Sequence, residues 1–410
     1  MSTNLYELID ELCPCGVEYR ALGEVCEAKR GSGLSKSIIG SGNTPVILYG
    51  QLYTTYGDYI RKIESFVDKS HVKPKSLIKP NSIVLPISST TKEAIIGKPS
   101  VVKVEGCYLG SDAAQIIPTQ DLNADFLMYV MHGYKFVHKK MKCVEGTTIR
   151  HLKVQKILDI EVPVPPMPVQ AEIVRILDKF TELIATLQKE LELRHKQYAY
   201  YRDLLLSPEH LYEVAGEDNV REATLGEIGE MKMCKRVLKK QTSKEGDVPF
   251  YKIGTFGGKP DAFISRELFD EYKAKYSYPS KGDLLLSCYG TLGKVVEFDG
   301  KPAYFQDSNI VWLKHDETIV LNKYLRYVYD SIEWKVETGG TIARLYGRNI
   351  LSTKIIVPPL PIQRDIAQTL DKFDTLVNSL TQGIPAEIEG RKKQYAYYRD
   401  KLLDFERLEE

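Results

Sequence analysis

The sequence predicts a mixed α/β chain of two equivalent halves, each an α/β domain followed by a long helix, with the two helices paired antiparallel. Three observations carry this expectation. The stretch RHKQYAYYRDLLL from Arg194 returns almost unchanged as RKKQYAYYRDKLL from Arg391. Ahead of these words, VPVPPMPVQAEIVRILDKF (162–180) and IVPPLPIQRDIAQTLDKF (356–373) share a Pro-rich lead-in, an apolar residue before Gln, and Leu-Asp-Lys-Phe. Through both matched regions, apolar residues recur with a period near 3.5, as in helices packed along a seam.

The repeat reaches further upstream. GTTIRHLKVQKILDIEVPVPP (146–166) matches GGTIARLYGRNILSTKIIVPP (339–359), and ALGEVCEAKRG from Ala21 corresponds to TLGEIGEMKMCK from Thr224. A period this long is domain duplication rather than a solenoid. A chain of 410 residues also exceeds one ordinary core. The expected boundaries are a first domain over 1–163, a helix over 164–207, a second domain over 208–356 and a second helix over 357–410.

Within the domains, NSIVLPIS (81–88), VVKV (101–104), GDLLLSCYG (282–290) and KVVEF (294–298) read as strands. ADFLMYVMHGYKFVHKKM (124–141) and NKYLRYVYDSIEWKVE (322–337) read as helices. The first long helix has a seam through Ile173, Leu177, Phe180, Ile184, Leu187, Leu191, Arg194, Tyr198, Tyr201 and Leu205. From Val169 to Leu206 it would run about 57 Å at ~1.5 Å per residue, too far to hide against one small domain. The second seam uses Ile366, Leu370, Phe373, Val377 and Leu380, then Ile388, Arg391, Tyr395, Tyr398 and Leu402. Leu177 and Leu370 lie 193 positions apart, whereas Arg194 and Arg391 lie 197 apart. Four residues are therefore inserted at TQGIPAE, where Gly383 and Pro385 are expected to kink or interrupt the helix.

Composition excludes more than it selects. The formal net charge is only +1, so charge has to be read locally. Seven scattered cysteines lack zinc spacing and suit reduced thiols in a cytoplasmic protein. No stretch approaches the ~18 apolar residues of a membrane span. GSGLSKS (31–37) lacks the order of a phosphate-binding loop, and GxGxxG after a strand, HExxH and GxSxG are all missing. No Asn-Pro-Pro-Tyr-type tetrapeptide of an amino-methyltransferase occurs, and His132, His138 and His151 have no metal-like set of partners. The chain is expected to bind rather than catalyse, with no catalytic residue and no metal site.

Local charge points to phosphates. Residues 135–156 carry Lys135, Lys139, Lys140, Lys142, Arg150, Lys153 and Lys156 against the single acid Glu145. Residues 231–244 carry Lys232, Lys235, Arg236, Lys239, Lys240 and Lys244 with no acid, and Arg344 and Arg348 add to that half. Such clusters neutralise nucleic-acid backbones, although a merely solvated basic face has the same composition. Base reading needs hydrogen-bonding side chains on nearby loops. In the first half the candidates are Ser89, Thr90, Thr91 and Lys92 with Thr147, Thr148, Arg150 and Lys153. In the second they are Tyr289, Thr291 and Lys294 with Thr341, Arg344, Tyr346 and Arg348.

With duplication, paired seams and LDKF…KQYAYYRD in view, the chain resembles a specificity subunit of a type I DNA restriction–modification system over essentially its full length. The resemblance rests on the LGE opening each half, the GTLGK loop, the GxxI segment, PPxPxQ and the Tyr-rich helix. It implies two α/β target-recognition domains, each reading half of a split site on double-stranded DNA, held apart by an antiparallel coiled coil with a pseudo-twofold internal repeat. It further implies two methyltransferase subunits docked on the helices and a restriction–translocase subunit in the assembly. S-adenosylmethionine, ATP and magnesium would belong to those partners. The duplicated surface of Tyr198, Tyr200, Tyr201 and Arg202 and of Tyr395, Tyr397, Tyr398 and Arg399 is the expected subunit interface, since aromatics and Arg dominate interfaces. A stand-alone DNA-modifying enzyme and a scaffold that binds no DNA stay open as alternatives.

Overall fold

Four residues of the first strand run, Ile83 to Pro86, are all buried, and they explain how each half of the chain is layered. The computed structural model describes residues 5–34, 36–91, 94–338, 343–379 and 381–408. It divides into two compact units, one formed by Met1–Gln188 with Glu387–Glu410 and the other by Lys189–Ala386. Each unit joins one variable region to part of the first long helix and to part of the second.

In the first unit, Cys26–Arg30 (β1), Tyr59–Ile60 (β2), Ser82–Pro86 (β3), Ser100–Val102 (β4) and Ala113–Pro118 (β5) form a sheet of order β1-β5-β3-β4-β2. Alternation along β3 divides its side chains between two cores. Ile83 and Leu85 join the cluster that includes the long helix, and Val84 joins the cluster on the other face with Ile47 and Leu52. A strand covered on both faces needs a continuous apolar run, which is why SIVLP has no polar interruption after Ser82. Leu5–Leu12 (α1), Ala124–His132 (α2) and Tyr134–Met141 (α3) flank the sheet. The single helix expected over 124–141 is thus two, parted at Gly133, whose extended backbone (φ −64°, ψ 146°) ends one and starts the other.

Met167–Leu205 (α4) is one unbroken helix of 39 residues. In the second unit, Gly229–Met233 (β6), Leu284–Ser287 (β7), Val295–Glu297 (β8) and Ile310–His315 (β9) pair in the order β6-β9-β7-β8. The same division recurs: Leu284 and Leu286 face the cluster containing the helices, while Leu285 and Trp312 face the other. Asn322–Ser331 (α5) occupies the place of α2, ending before the Glu337 expected as its limit.

The second long helix is Leu360–Asn378 (α6) followed by Ile384–Leu402 (α7). The inserted residues lie at this interruption. A Cβ on Gly383 would stand 2.4 Å from Thr375 O and 2.5 Å from Leu376 O, so only glycine lets the chain return against the end of α6. Ser379 Oγ accepts from the Gln382 amide at 3.1 Å across the turn, and Pro385 follows in the first turn of α7, where its missing N–H is harmless. The seam position Leu380 lies outside the described residues.

The shared Gln of PPxPxQ locks each unit together. Gln170 is wholly buried. Its Oε1 accepts from Asn123 N at 2.8 Å, and its Nε2 donates to Asp121 O at 2.8 Å and Pro165 O at 2.7 Å. Gln363, also wholly buried, accepts from Leu321 N at 2.8 Å and donates to Ile319 O at 2.9 Å and Pro358 O at 2.8 Å. One amide thereby ties the Pro-rich lead-in and the first turn of a long helix to the N-terminus of α2 or α5. Two turns further along each long helix, Asp178 Oδ1 accepts from Tyr129 Oη at 2.6 Å and Tyr59 Oη at 2.7 Å, and Asp371 Oδ1 accepts from Tyr327 Oη at 2.5 Å. Burial and the bond to Asp178 push the Tyr59 and Tyr129 hydroxyls well above the usual tyrosine range, so they stay protonated donors.

Replacing either glutamine by leucine would leave one amide and two carbonyls buried without partners. Each orphan costs roughly 1–3 kcal/mol, so Gln170→Leu or Gln363→Leu is expected to destabilise by about 3–5 kcal/mol in urea unfolding. A change below about 1 kcal/mol would refute the clamp.

Candidate nucleic-acid interface

The two loop groups nominated in each half come together. In the first unit, Val144–Glu145, Arg150–Leu152 and Ser88–Ser89 form a three-stranded sheet, with Arg150 opposite Ser89 and His151 opposite Ser88. Thr147 and Thr148 at the hairpin tip are exposed, as are Thr90 and Thr91. In the second, Tyr289 bridges Arg344, and Leu345 N donates to Cys288 O at 3.0 Å. Arg344 and Arg348 sit over the Tyr346 ring at 5.7 and 5.3 Å from its centroid. Lys92 and Thr341 lie outside the described residues.

Several of the nominated side chains are turned inward. Lys140 is 1% exposed, and its ammonium donates to Gly97 O at 3.0 Å. It is a core residue of α3, one turn from buried Phe136, and not a phosphate contact. Desolvation lowers its pKa to about 8. Ser89 is 3% exposed, and its hydroxyl donates to Thr91 O at 2.8 Å, shaping the loop rather than facing outward. Arg150 donates to Thr91 O at 2.7 Å and Ala94 O at 3.1 Å, closing the same loop. Lys153 and Lys156 share Glu145 at 3.3 and 2.9 Å, and Arg348 is paired in a fork with Glu337. Exposed ion pairs of this kind are worth ~0–1 kcal/mol and yield readily to a phosphate.

Lys294 has a structural partner as well. Its ammonium donates to Phe256 O at 2.7 Å, and in the first half Lys98 donates to Tyr56 O at 2.8 Å. Each follows a glycine with positive φ, Gly97 (66°) and Gly293 (74°), a conformation that glycine adopts without strain. This repeated latch ties the loop to the core on the sheet face away from the long helices, where Tyr56 and Phe256 lie. Gly-Lys spelled it in both halves, yet Lys98 was not among the nominated residues.

The remaining basic groups stay outward: Lys139 in the first unit, and Lys235, Arg236, Lys239 and Lys240 in the second. Lys235 also lies 5.0 Å from the Tyr276 ring centroid, and Arg236 stands 3.9 Å from Asp307. Burial pushes the Cys288 thiol, beside the second recognition loop, up to about 11, which leaves no thiolate there at neutral pH. Among the described residues, no group of three or more His, Cys, Asp or Glu could hold a metal ion. None of their helices is long and apolar enough to cross a membrane.

The Tyr-rich words sort by depth. Within the first unit Phe180 stacks on Tyr398 (5.6 Å, 25°), and within the second Phe373 stacks on Tyr201 (5.5 Å, 23°). The Leu-Asp-Lys-Phe word of each helix therefore meets the Tyr-rich word of the other, which is antiparallel pairing. Tyr198 is buried and Tyr395 packs against its unit's core, both hydroxyls raised to about 12 chiefly by burial. Tyr200 and Tyr397 remain 64% and 62% exposed, each edge-on to the neighbouring Tyr201 or Tyr398. Arg202 and Arg399 pair with Asp203 and Asp400 at 2.7 and 2.9 Å.

Two α/β modules with divergent loop edges, each clamped to a repeated helical frame, define a duplicated recognition protein. The family model for the type I restriction modification DNA specificity domain matches twice, over residues 14–193 and 217–390. A putative type I restriction enzyme specificity subunit of Haemophilus influenzae is 49% identical over 294 residues, covering 70% of this chain and 73% of that protein. A type I restriction enzyme specificity subunit of Escherichia coli is 33% identical over 314 residues, covering 72% and 75%. Among solved structures, one from a study of type I restriction–modification complex assembly has a TM-score of 0.63 at 17% identity, covering 95% of this chain and 97% of that one. The specificity subunit from Thermoanaerobacter tengcongensis gives 0.51 at 18%, covering 96% and 97%. The chain belongs to the type I restriction–modification specificity-subunit family. It is the DNA sequence-recognition member of such a system, and catalysis lies on other subunits.

Lys140→Met tests the buried assignment. Because the folded pKa is depressed, the unfolded chain binds more protons between pH 8 and the ordinary lysine range, so stability gained from this residue rises with pH across that window. Unfolding of the native protein is expected to gain up to about 3 kcal/mol relative to Lys140→Met between those limits. DNA affinity at neutral pH and its salt slope should stay unchanged in the variant.

Proposed function

We propose that this chain reads a bipartite site on double-stranded DNA, one half-site per recognition module, and recruits two methyltransferase subunits and a restriction–translocase subunit through its helices. The observation that carries this reading is the internal repeat of both surfaces: a loop edge with basic surroundings, and an outward Tyr200 or Tyr397 beside a stacked Tyr201 or Tyr398. One surface presented twice takes two copies of one partner. The 39-residue α4 runs through both units and, in this reading, links the two modules. S-adenosylmethionine, ATP and magnesium act on the partner subunits in this reading.

Two outcomes are expected. Charge reversal of Lys235, Arg236, Lys239 and Lys240 should lower DNA affinity of the assembled complex at least tenfold and make its logarithmic salt slope shallower by about 2–4. An unchanged slope would favour a scaffold that binds no DNA. Tyr397→Ala and Tyr200→Ala should each remove one of two methyltransferase copies in mass measurements of the complex, and the double variant both. Retention of two copies by the double variant would exclude this interface.

A further inference from the structure

The first recognition hairpin holds a hydrogen-bonded chain that runs from Asp112 through Ser88 to His151. Ser88 is buried, and its hydroxyl donates to Asp112 Oδ1 at 2.7 Å. Ser88 Oγ itself lies 3.0 Å from His151 Nδ1. A serine has one hydroxyl hydrogen, already given to the carboxylate, so the proton in the second bond belongs to the imidazole. Nδ1–H donates to Ser88 Oγ, and the tautomer of His151 is thereby fixed. In the neutral ring Nε2 is then a lone-pair acceptor. His151 is exposed, and among the described residues only its Nδ1 is hydrogen-bonded.

Strand alternation separates His151 from its neighbour. His151 pairs with Ser88 and Arg150 with Ser89, so the two side chains leave opposite faces of the hairpin. Arg150 folds onto its own loop, whereas His151 is held at its base and open at its tip.

The duplication gives a second, independent pointer. TIRHL and TIARL align His151 with Arg344, and the backbone agrees. Leu152 N donates to Ile87 O and Leu345 N to Cys288 O, one step before Ser88 and Tyr289, the residues opposite His151 and Arg344. Arg344 is braced as well, its guanidinium donating to Ser308 O at 3.2 Å. The turn that supplies each brace holds a residue in left-handed backbone, Asp112 at φ 58° and Ser308 at φ 53°, although the two lie one residue out of register. Each module therefore presents one braced side chain at the same register, with opposite hydrogen-bonding character.

Resting on the DNA-reading function above, we propose that His151 and Arg344 occupy one base-reading position, at which the two half-sites are told apart. His151 Nε2 accepts from an exocyclic amino group, adenine N6 or cytosine N4, and Arg344 donates to the acceptor edge of guanine. Ser88 and Asp112 are positioning residues that set the acceptor.

The test uses the assembled methyltransferase complex and reads methylated-adenine motifs across a genome, with size-exclusion assembly as a check of folding. Native complex should return a bipartite motif. His151→Arg should switch or relax one base in one half-site by about ten- to hundredfold and leave the other half-site intact. Arg344→His should do the reverse. Ser88→Ala should relax the same base as His151→Ala. Motifs unchanged in both exchanges overturn the assignment while leaving the DNA-reading function standing, as does loss of both half-sites together in an assembled variant. A native complex that yields no bipartite motif would instead sink the underlying reading.

Discussion

A single buried primary amide decides how this chain is put together. Gln170 and Gln363 each spend an acceptor and both donors on backbone groups from two different segments, and no other side chain meets that demand in that space. Glutamate would lose the donors, and an apolar residue would lose all three bonds. The long helices can carry variable modules because this polar lock is indifferent to the sequence of the module it holds. It engages only main-chain atoms at the N-terminus of α2 or α5. The tyrosine-to-aspartate contacts two turns on extend the lock with side chains that the repeat keeps in both halves.

Once the frame is fixed, each module has a constant and a free side. The sheet face toward the helices builds one core, with Ile83 and Leu85 in the first unit and Leu284 and Leu286 in the second. The opposite face builds another from different residues. Ser88 and Tyr289 stand where the strand leaves the sheet, as do His151 and Arg344 on the partner strand. They are the positions at which sequence can change without disturbing either core. The latch from Lys98 or Lys294 ties those loop edges to the core on the sheet face away from the helices.

Much of this was legible in the sequence. Duplication, the strand runs, the helical seams and the break at Gly383 followed from repeats, periodicity and the chemistry of glycine and proline. What was not legible depended on partners without a signature of their own. PPxPxQ displays the glutamine, but its partners are backbone atoms of residues 121, 123, 319 and 321, invisible to residue type. Lys140 belonged to a run of cations and counted as surface. Its helical phase, one turn after Phe136, places it in the core. Arg150 carries the more familiar base-reading group, yet the period of two in a strand turns Arg150 inward and His151 outward. The helix over 124–141 broke because Gly133 is an extended residue, a conformation that composition alone does not demand.

If each clamp holds its module independently of the module's sequence, modules should be interchangeable between clamps. The most direct measurement is the methylation motif of an assembled complex carrying a chimera in which residues 22–160 are replaced by residues 225–353. The account predicts a gapped motif containing the second half-site twice, in a complex that assembles normally. A folded, assembled chimera that still writes the original first half-site, or writes a contiguous site, would contradict it.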